Sequence, residues 1–253
     1  MKKLGLIGKD IDYSFSKQYF TDKFLKLGIH DWVYNLYHLE VIEELPKLLE
    51  AEPNLIGLNI TIPYKIDALQ YVDSLDSNAK KIGAINTVSI GDDKKIRGFN
   101  TDIIGFRKSL LDLLGESFDK ENIKALVLGT GGAAQAIIFV LEELDIPFKM
   151  VSRSKRKGIQ YKALNKQIIQ EHRLIINSTP LGTFPNIKAA PEIPYNYLNE
   201  QHFLYDLVYN PQKSLFLQRG EASGAKIKNG LSMLEIQAEA AWDIWNSNLS
   251  INA

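Results

Sequence analysis

From end to end, short runs rich in β-branched and aromatic residues alternate with stretches of helical periodicity, and no other feature of this chain narrows its fold as far. Residues 4–8, 32–39 and 55–62 read as strands, with helical spacing over 17–27 and 41–50 between them. That order is how a largely parallel sheet flanked by helices is built. Residues 84–90 and 95–99, joined by the turn cluster Gly91-Asp92-Asp93-Lys94, read as a hairpin at the edge of this sheet. A helix over 101–114 follows, with Ile103, Phe106, Leu110 and Leu114 on one face, and the polar stretch 115–122 then reads as a linker.

Beyond the linker the alternation restarts. Residues 125–128 (strand), 131–144 (helix) and 148–151 (strand) form a compact βαβ unit, and 173–177 and 203–207 are further strand candidates on either side of a Pro- and Asn-rich loop, 179–199. Residues 232–245 put Leu234, Ala238, Ala241, Trp242 and Trp245 on one face of a closing amphipathic helix. A chain of 253 residues is about 1.7 times a typical domain of roughly 150 residues. The expectation is therefore α/β with two domains, one from 1–101 plus 230–253 and the other from 102–229.

Thirty Lys and Arg balance thirty Asp and Glu, so no bulk field draws the chain to nucleic acid or to an anionic membrane. With no cysteine and with His30, His38, His172 and His202 scattered, no metal is expected. The N-terminal apolar stretch 4–7 is broken by Lys9 and Asp10, and the longest apolar run elsewhere, 136–141, is far short of a membrane span. A cytosolic location is expected.

Gly129-Thr130-Gly131-Gly132-Ala133-Ala134 follows one strand and opens a helix, matching the G-x-G-x-x-A dinucleotide fingerprint. Glycines there allow a tight turn and close approach of backbone N–H groups to a pyrophosphate at the helix N-terminus. An NAD site would place an acid about 20 residues on, at the end of the next strand. Here that strand ends in Ser152-Arg153-Ser154-Lys155-Arg156-Lys157 instead. Hydroxyls and a cationic fork suit a ribose 2′-phosphate, which points to NADP.

In the first half, 57–65 alternates apolar and polar side chains, so Asn59 and Thr61 point the same way and Lys65 follows on a turn that starts a helix. Asn86 and the run 98–102, ending in Asp102, again put short polar residues at strand ends, where α/β sheets bind ligands. Ser14 and Ser16, two apart in an extended segment, present both hydroxyls to one side, while a helix-capping role for a serine here is the plainer alternative.

Taken together, the motifs resemble the shikimate dehydrogenase family over nearly the whole chain. They run in order: Ser-x-Ser (Ser14, Ser16), N-x-T-x-P-x-K (Asn59, Thr61, Pro63, Lys65), G-A-x-N-T (83–87), N-T-D-x-x-G-F (100–106), the glycine turn, the basic loop, N-S-T-P-L-G (177–182), D-x-x-Y-N-P (206–211) and G-L-x-M-L (230–234) with Gln237. The resemblance implies an NADP-dependent reductase of 3-dehydroshikimate with a substrate domain, a Rossmann-type NADP domain and a cleft between them. It implies Lys65 as acid/base with Asp102 as its partner. It implies substrate contacts at Ser14, Ser16, Asn59, Thr61, Asn86, Tyr209 and Gln237. Cofactor contacts are implied at Gly129, Thr130, Gly131, Gly132, Ala133, Ala134, Ser152, Arg153, Ser154, Lys157, Thr179, Leu207 and Gly230.

Some positions depart from the family pattern. Tyr13 and Lys17 flank the serines where the family has His and Pro, Ser152 and Ser154 replace Asn and Thr, and Ala134-Gln135 stands where Ser-Arg is common. Alternative readings are a quinate/shikimate dehydrogenase of broader substrate or NAD use, and a non-catalytic NADP- or shikimate-binding module. Monomer and homodimer are both open.

Overall fold

The computed structural model describes residues 1–12, 14–115, 118 and 122–250, with side chains to Ser247. Tyr13 and most of the expected linker lie outside the described residues. By contact density the chain divides into two compact units, Met1–Thr101 with Ala238–Ala253, and Asp102–Gln237.

The first unit holds strands β1 (Lys2–Gly8), β2 (Trp32–His38), β3 (Leu55–Ile60), β4 (Ser74–Leu75), β5 (Thr87–Ile90) and β6 (Ile96–Phe99) in one sheet of order β2-β1-β3-β5-β6-β4. β1 pairs in parallel with both β2 and β3, whereas β5 runs antiparallel to β3 and β6. The hairpin of β5 and β6 is therefore present but not at the edge, because β4 pairs outside β6. Two residues are too short to show a period of two, which hides β4 from sequence inspection. Alternation along β1 sends Leu4 and Leu6 into one core, with Phe20, Phe24, Tyr34, Trp242 and Trp245, and Ile7 into another, with Leu58, Ile60, Ile85 and Val88.

Helix α1 (Phe15–Lys26) is capped by Ser14, whose Oγ accepts from the Ser16 amide at 3.2 Å. The expected helix over 41–50 is instead a 3-10 turn, Ile42–Glu44, followed by α2 (Leu45–Ala51). Pro46 lies in the first turn of α2, where its missing N–H costs nothing, so the regular helix begins there. Lys65 leads not into an α-helix but into a 3-10 helix, Asp67–Tyr71. Helix α3 (Ser77–Ile82) has Asp76 as its cap and ends at left-handed Gly83.

The second unit begins with α4 (Asp102–Leu114) and carries β7 (Ala125–Leu128), α5 (Gly132–Glu143), β8 (Phe148–Ser152), β9 (Ile159–Gln160), α6 (Lys166–Glu171), β10 (Leu174–Asn177), β11 (Phe203–Asp206), α7 (Leu215–Ala222) and β12 (Lys226–Lys228). Its strands form an all-parallel sheet of order β12-β11-β10-β7-β8-β9. The strand order reverses between β7 and β10, which is the topological switch point where doubly wound sheets bind ligands. Residues 179–199 are irregular apart from a 3-10 turn, Tyr195–Tyr197. The last helix, α8 (Leu231–Ser250), contains the boundary between the units, at Gln237. No helix among the described residues is long and apolar enough to cross a membrane.

Candidate functional site

At the switch point of the second unit, the turns after β7 and β10 are tied together. The Ser178 amide and hydroxyl both donate to the Leu128 carbonyl, at 2.9 and 2.7 Å. Gly129 sits beside them with φ +114°, and a Cβ there would come 2.6 Å from Ser178 Oγ, so only glycine fits. Gly131 is the N-cap of α5 with no side-chain cap, and the space a Cβ would enter is open. The helix thus presents its first amides, uncapped, at an unfilled position, which is what a pyrophosphate requires. Thr130, Gly132 and Ala133 stay partly accessible, while Ala134 is buried with its amide bound to the Gly131 carbonyl at 2.9 Å, so Ala134 faces the core.

At the end of β8, Ser152 is buried and its Oγ accepts from the Ser154 amide at 3.1 Å, folding the loop back on itself. Arg153, Ser154, Lys155, Arg156 and Lys157 are exposed, and the four cations form no salt bridge among the described residues. Four cations and a hydroxyl with no acid among them fit a 2′-phosphate and would repel no part of it.

A buried polar chain supports the loop after β10. Thr179 donates through its amide and hydroxyl to Asn177 Oδ1 at 3.0 and 2.6 Å. Asn177 Nδ2 donates to Asp206 Oδ1 at 2.9 Å, and Asp206 also accepts from the Val208 amide at 3.0 Å and from the Ser214 hydroxyl. Burial pushes the Asp206 carboxyl up to about 6, against the pull of Ser214, Val208 and Asn177. Leu207 donates its amide to the Asn177 carbonyl at 3.0 Å, and the buried Gly230 donates to the Val208 carbonyl at 3.2 Å. Tyr209 is half-buried on the same loop, and Gln237 is half-buried in α8.

In the first unit, the C-terminal ends of β1, β3 and β6 and the start of β5 share one edge of the sheet. Asn59 of β3 donates through Nδ2 to Thr87 Oγ1 at 3.1 Å and to the Asn86 carbonyl at 3.4 Å. Asn86 in turn donates to Thr101 Oγ1 at 3.0 Å, and its Oδ1 accepts from the Thr101 amide at 2.7 Å. Thr61 and Lys65 are half-buried beside this array, and the Lys65 carbonyl accepts from the Ile85 amide at 2.8 Å. The backbone that carries Lys65 is thereby pinned to the segment that carries Asn86. Asp102, the first residue of α4, is only 1% exposed. Ser14 and Ser16 are half-buried, but not in an extended segment: Ser14 caps α1 and Ser16 lies in its first turn. Their hydroxyls stand at a helix N-terminus, where an anion is favoured.

Sequence inspection does not single out Thr87, Asn100 and Thr101 as individual site residues, and passes over Tyr34 altogether. The Asn100 amide donates to the Ala84 carbonyl at 2.9 Å. All four are buried, and no spacing rule reports which buried side chain or backbone group each will bond.

A parallel sheet whose reversal carries a glycine turn and an open helix N-terminus defines a dinucleotide-binding α/β protein. Comparison with known proteins goes further. Residues 6–88 match the family model described as the shikimate dehydrogenase substrate binding domain. A shikimate dehydrogenase (NADP(+)) of Caldicellulosiruptor bescii is 37% identical, covering 100% of this chain and 92% of the relative. Another, of Clostridium botulinum, is 37% identical with 98% of each chain covered. The crystal structure of shikimate 5-dehydrogenase from Thermus thermophilus in complex with NADP(H) and shikimate superposes with a TM-score of 0.83 at 30% identity, covering 98% of this chain and 94% of that one. The chain belongs to the shikimate dehydrogenase family, whose members are NADP-dependent oxidoreductases.

Proposed function

We propose that the protein catalyses the reversible NADP-dependent reduction of 3-dehydroshikimate to shikimate, with Lys65 as acid/base and Asp102 as its partner. The observation that carries this reading is the pinning of Lys65 to the Asn59–Asn86–Thr101 array by the bond from the Ile85 amide. A ring that bears hydroxyls and a carbonyl needs donors and acceptors fixed before it arrives, next to one group able to exchange a proton.

When bound, NADP supplies or takes up the hydride. In the reductive direction the Lys65 ammonium hands a proton to the oxygen as negative charge develops on it, and takes the proton back in the oxidative direction. Asp102 accepts from a ring hydroxyl and keeps the lysine oriented. Ser14 and Ser16, at the N-terminus of α1, bind the substrate carboxylate with Tyr209, while Asn59, Thr61, Asn86 and Gln237 read the hydroxyls. The glycine turn, Thr179, Leu207 and Gly230 line the cofactor side, with Arg153, Ser154 and Lys157 at the 2′-phosphate.

The test is absorbance in the reduced-nicotinamide band with shikimate and NADP, run beside NAD and beside quinate. Reduction that needs shikimate and NADP is expected, with kcat falling about a thousandfold in Lys65→Ala. Faster turnover with quinate or NAD would overturn the substrate or cofactor assignment, and undiminished kcat in Lys65→Ala would overturn the acid/base.

A further inference from the structure

Tyr34 lies in the middle of β2, and only 1% of its surface is exposed. Its ring stacks on Phe20 at 4.6 Å with planes 13° apart, and Trp245 stands 6.4 Å away. Nothing in this aromatic packing requires a hydroxyl, and a phenol buried here must find partners or bear the cost of losing water. Tyr34 Oη donates to Asn59 Oδ1 at 2.7 Å.

A hydroxyl has one hydrogen to give. Because the Asn86 carbonyl can only accept, Asn59 must turn its amide nitrogen toward it, so its carbonyl oxygen faces β2 and the Tyr34 hydrogen goes there. The order then carries onward. With Oδ1 committed to Tyr34, Nδ2 faces Thr87 Oγ1 and the Asn86 carbonyl, and Thr87 Oγ1 donates to Asn86 Oδ1 at 3.2 Å. Donors therefore point one way from Tyr34 through Asn59 and Thr87 to Asn86.

We propose that Tyr34 is a positioning residue for substrate binding, its hydroxyl fixing which way the Asn59 amide faces in the array that reads the ring hydroxyls. The inference rests on the function proposed above. Tyr34 touches no substrate in this scheme. It acts by holding Asn59 in one arrangement before the substrate arrives, which lowers the cost of ordering it at binding.

The experiment is steady-state kinetics on Tyr34→Phe, which keeps the stacked ring and removes only the hydroxyl. KM for shikimate is expected to rise about 5- to 10-fold, the value of one lost buried hydrogen bond, with kcat changing less than about twofold and KM for NADP unchanged. In an Asn59→Ala background the same substitution is expected to change kcat/KM less than about twofold, because the group it orients is gone. A general loosening of the fold would instead move KM for both ligands and multiply with Asn59→Ala, and that result overturns the proposal. An unchanged KM for shikimate in Tyr34→Phe overturns it as well. If Tyr34→Phe does not fold, exchange of the Asn59 side-chain amide hydrogens in the wild type, followed by NMR, decides: slow exchange without substrate supports the held arrangement and fast exchange overturns it. Wild-type enzyme that fails to reduce NADP with shikimate sinks the proposed function itself, whereas normal wild-type turnover with an indifferent Tyr34→Phe sinks only this inference.

Discussion

Trp245 Nε1 donates to the carbonyl of Val88 at 3.0 Å, a bond between residues 157 apart in sequence that fastens α8 to the central strands of the first sheet. Gly57 on β3 makes room for it. A Cβ on Gly57 would fall inside contact distance of Trp245 Nε1 and 2.9 Å from Cε2. The indole is 1% exposed, held by its hydrogen bond and by Phe20 at 5.4 Å, so it has nowhere to retreat.

Gly57→Ala is therefore expected to destabilise the protein by about 2–4 kcal/mol, combining overpacking with loss of the indole bond. Urea unfolding followed by tryptophan fluorescence measures it. Trp245→Phe, which shortens the side chain, is expected to recover part of the loss when combined with Gly57→Ala. A Gly57→Ala midpoint indistinguishable from wild type would show that the helix can shift and that the contact is not tight.

The glycine turn and the basic strand end were legible because backbone demands and charge are written locally. Gly129 needs positive φ, and Arg153 directly follows a strand, Phe148–Ser152, whose length is set by its own residues. Lys65, Asn59 and Asn86 were legible through motifs. Their geometry was not, since the bond from Ile85 to Lys65 and the path from Asn59 to Thr101 depend on β5 lying antiparallel beside β3, and sheet order is not a local property. Ser14 shows the same limit, because its two-residue spacing to Ser16 reads as extended until the helix is seen to begin at Phe15. Tyr34 gave no signal because a buried tyrosine in a strand reads as core.

Arg153 is the residue we propose to carry the cofactor preference. It is exposed at the end of β8, its carbonyl held by Gln160 Nε2 at 3.2 Å, so its side chain is placed by an ordered backbone. Arg153→Ala is expected to raise KM for NADP about 10- to 100-fold, the worth of a charge-assisted contact, and to leave KM for NAD within about threefold. Steady-state kinetics with both cofactors, repeated at high salt, check this. Added salt should weaken NADP binding in the wild type more than in the variant, because the exposed contact is screened. Equal losses toward NADP and NAD would place the guanidinium elsewhere than at the 2′-phosphate.

Asp206 adds a pH dependence with a definite sign. Burial holds its carboxyl at about 6, above the ordinary 3.8, despite the bonds from Ser214, Val208 and Asn177. The folded state thus keeps this proton over a range in which the unfolded chain has lost it. Between about pH 4 and 6 the native state binds more protons, so this group's contribution to stability falls as pH rises, by roughly 3 kcal/mol in all, and is flat above that range. His172 works in the opposite sense, since burial lowers its pKa and its contribution is lost as pH falls. The difference between wild type and Asp206→Asn isolates the carboxyl. An asparagine can still accept from Val208 and Asn177 but carries no buried charge, so it is expected to gain on the wild type as pH rises from 4 to about 6 and to hold that advantage above it. Urea titrations of both proteins from pH 4 to 8 decide the matter, and a constant difference across the range would mean that Asp206 is ionised throughout. Because Asp206 holds Asn177, and Asn177 holds Thr179, the same protonation is expected to leave the loop after β10 in place: the protonated carboxyl still accepts from Val208 and Asn177, and Ser214 can accept its hydrogen.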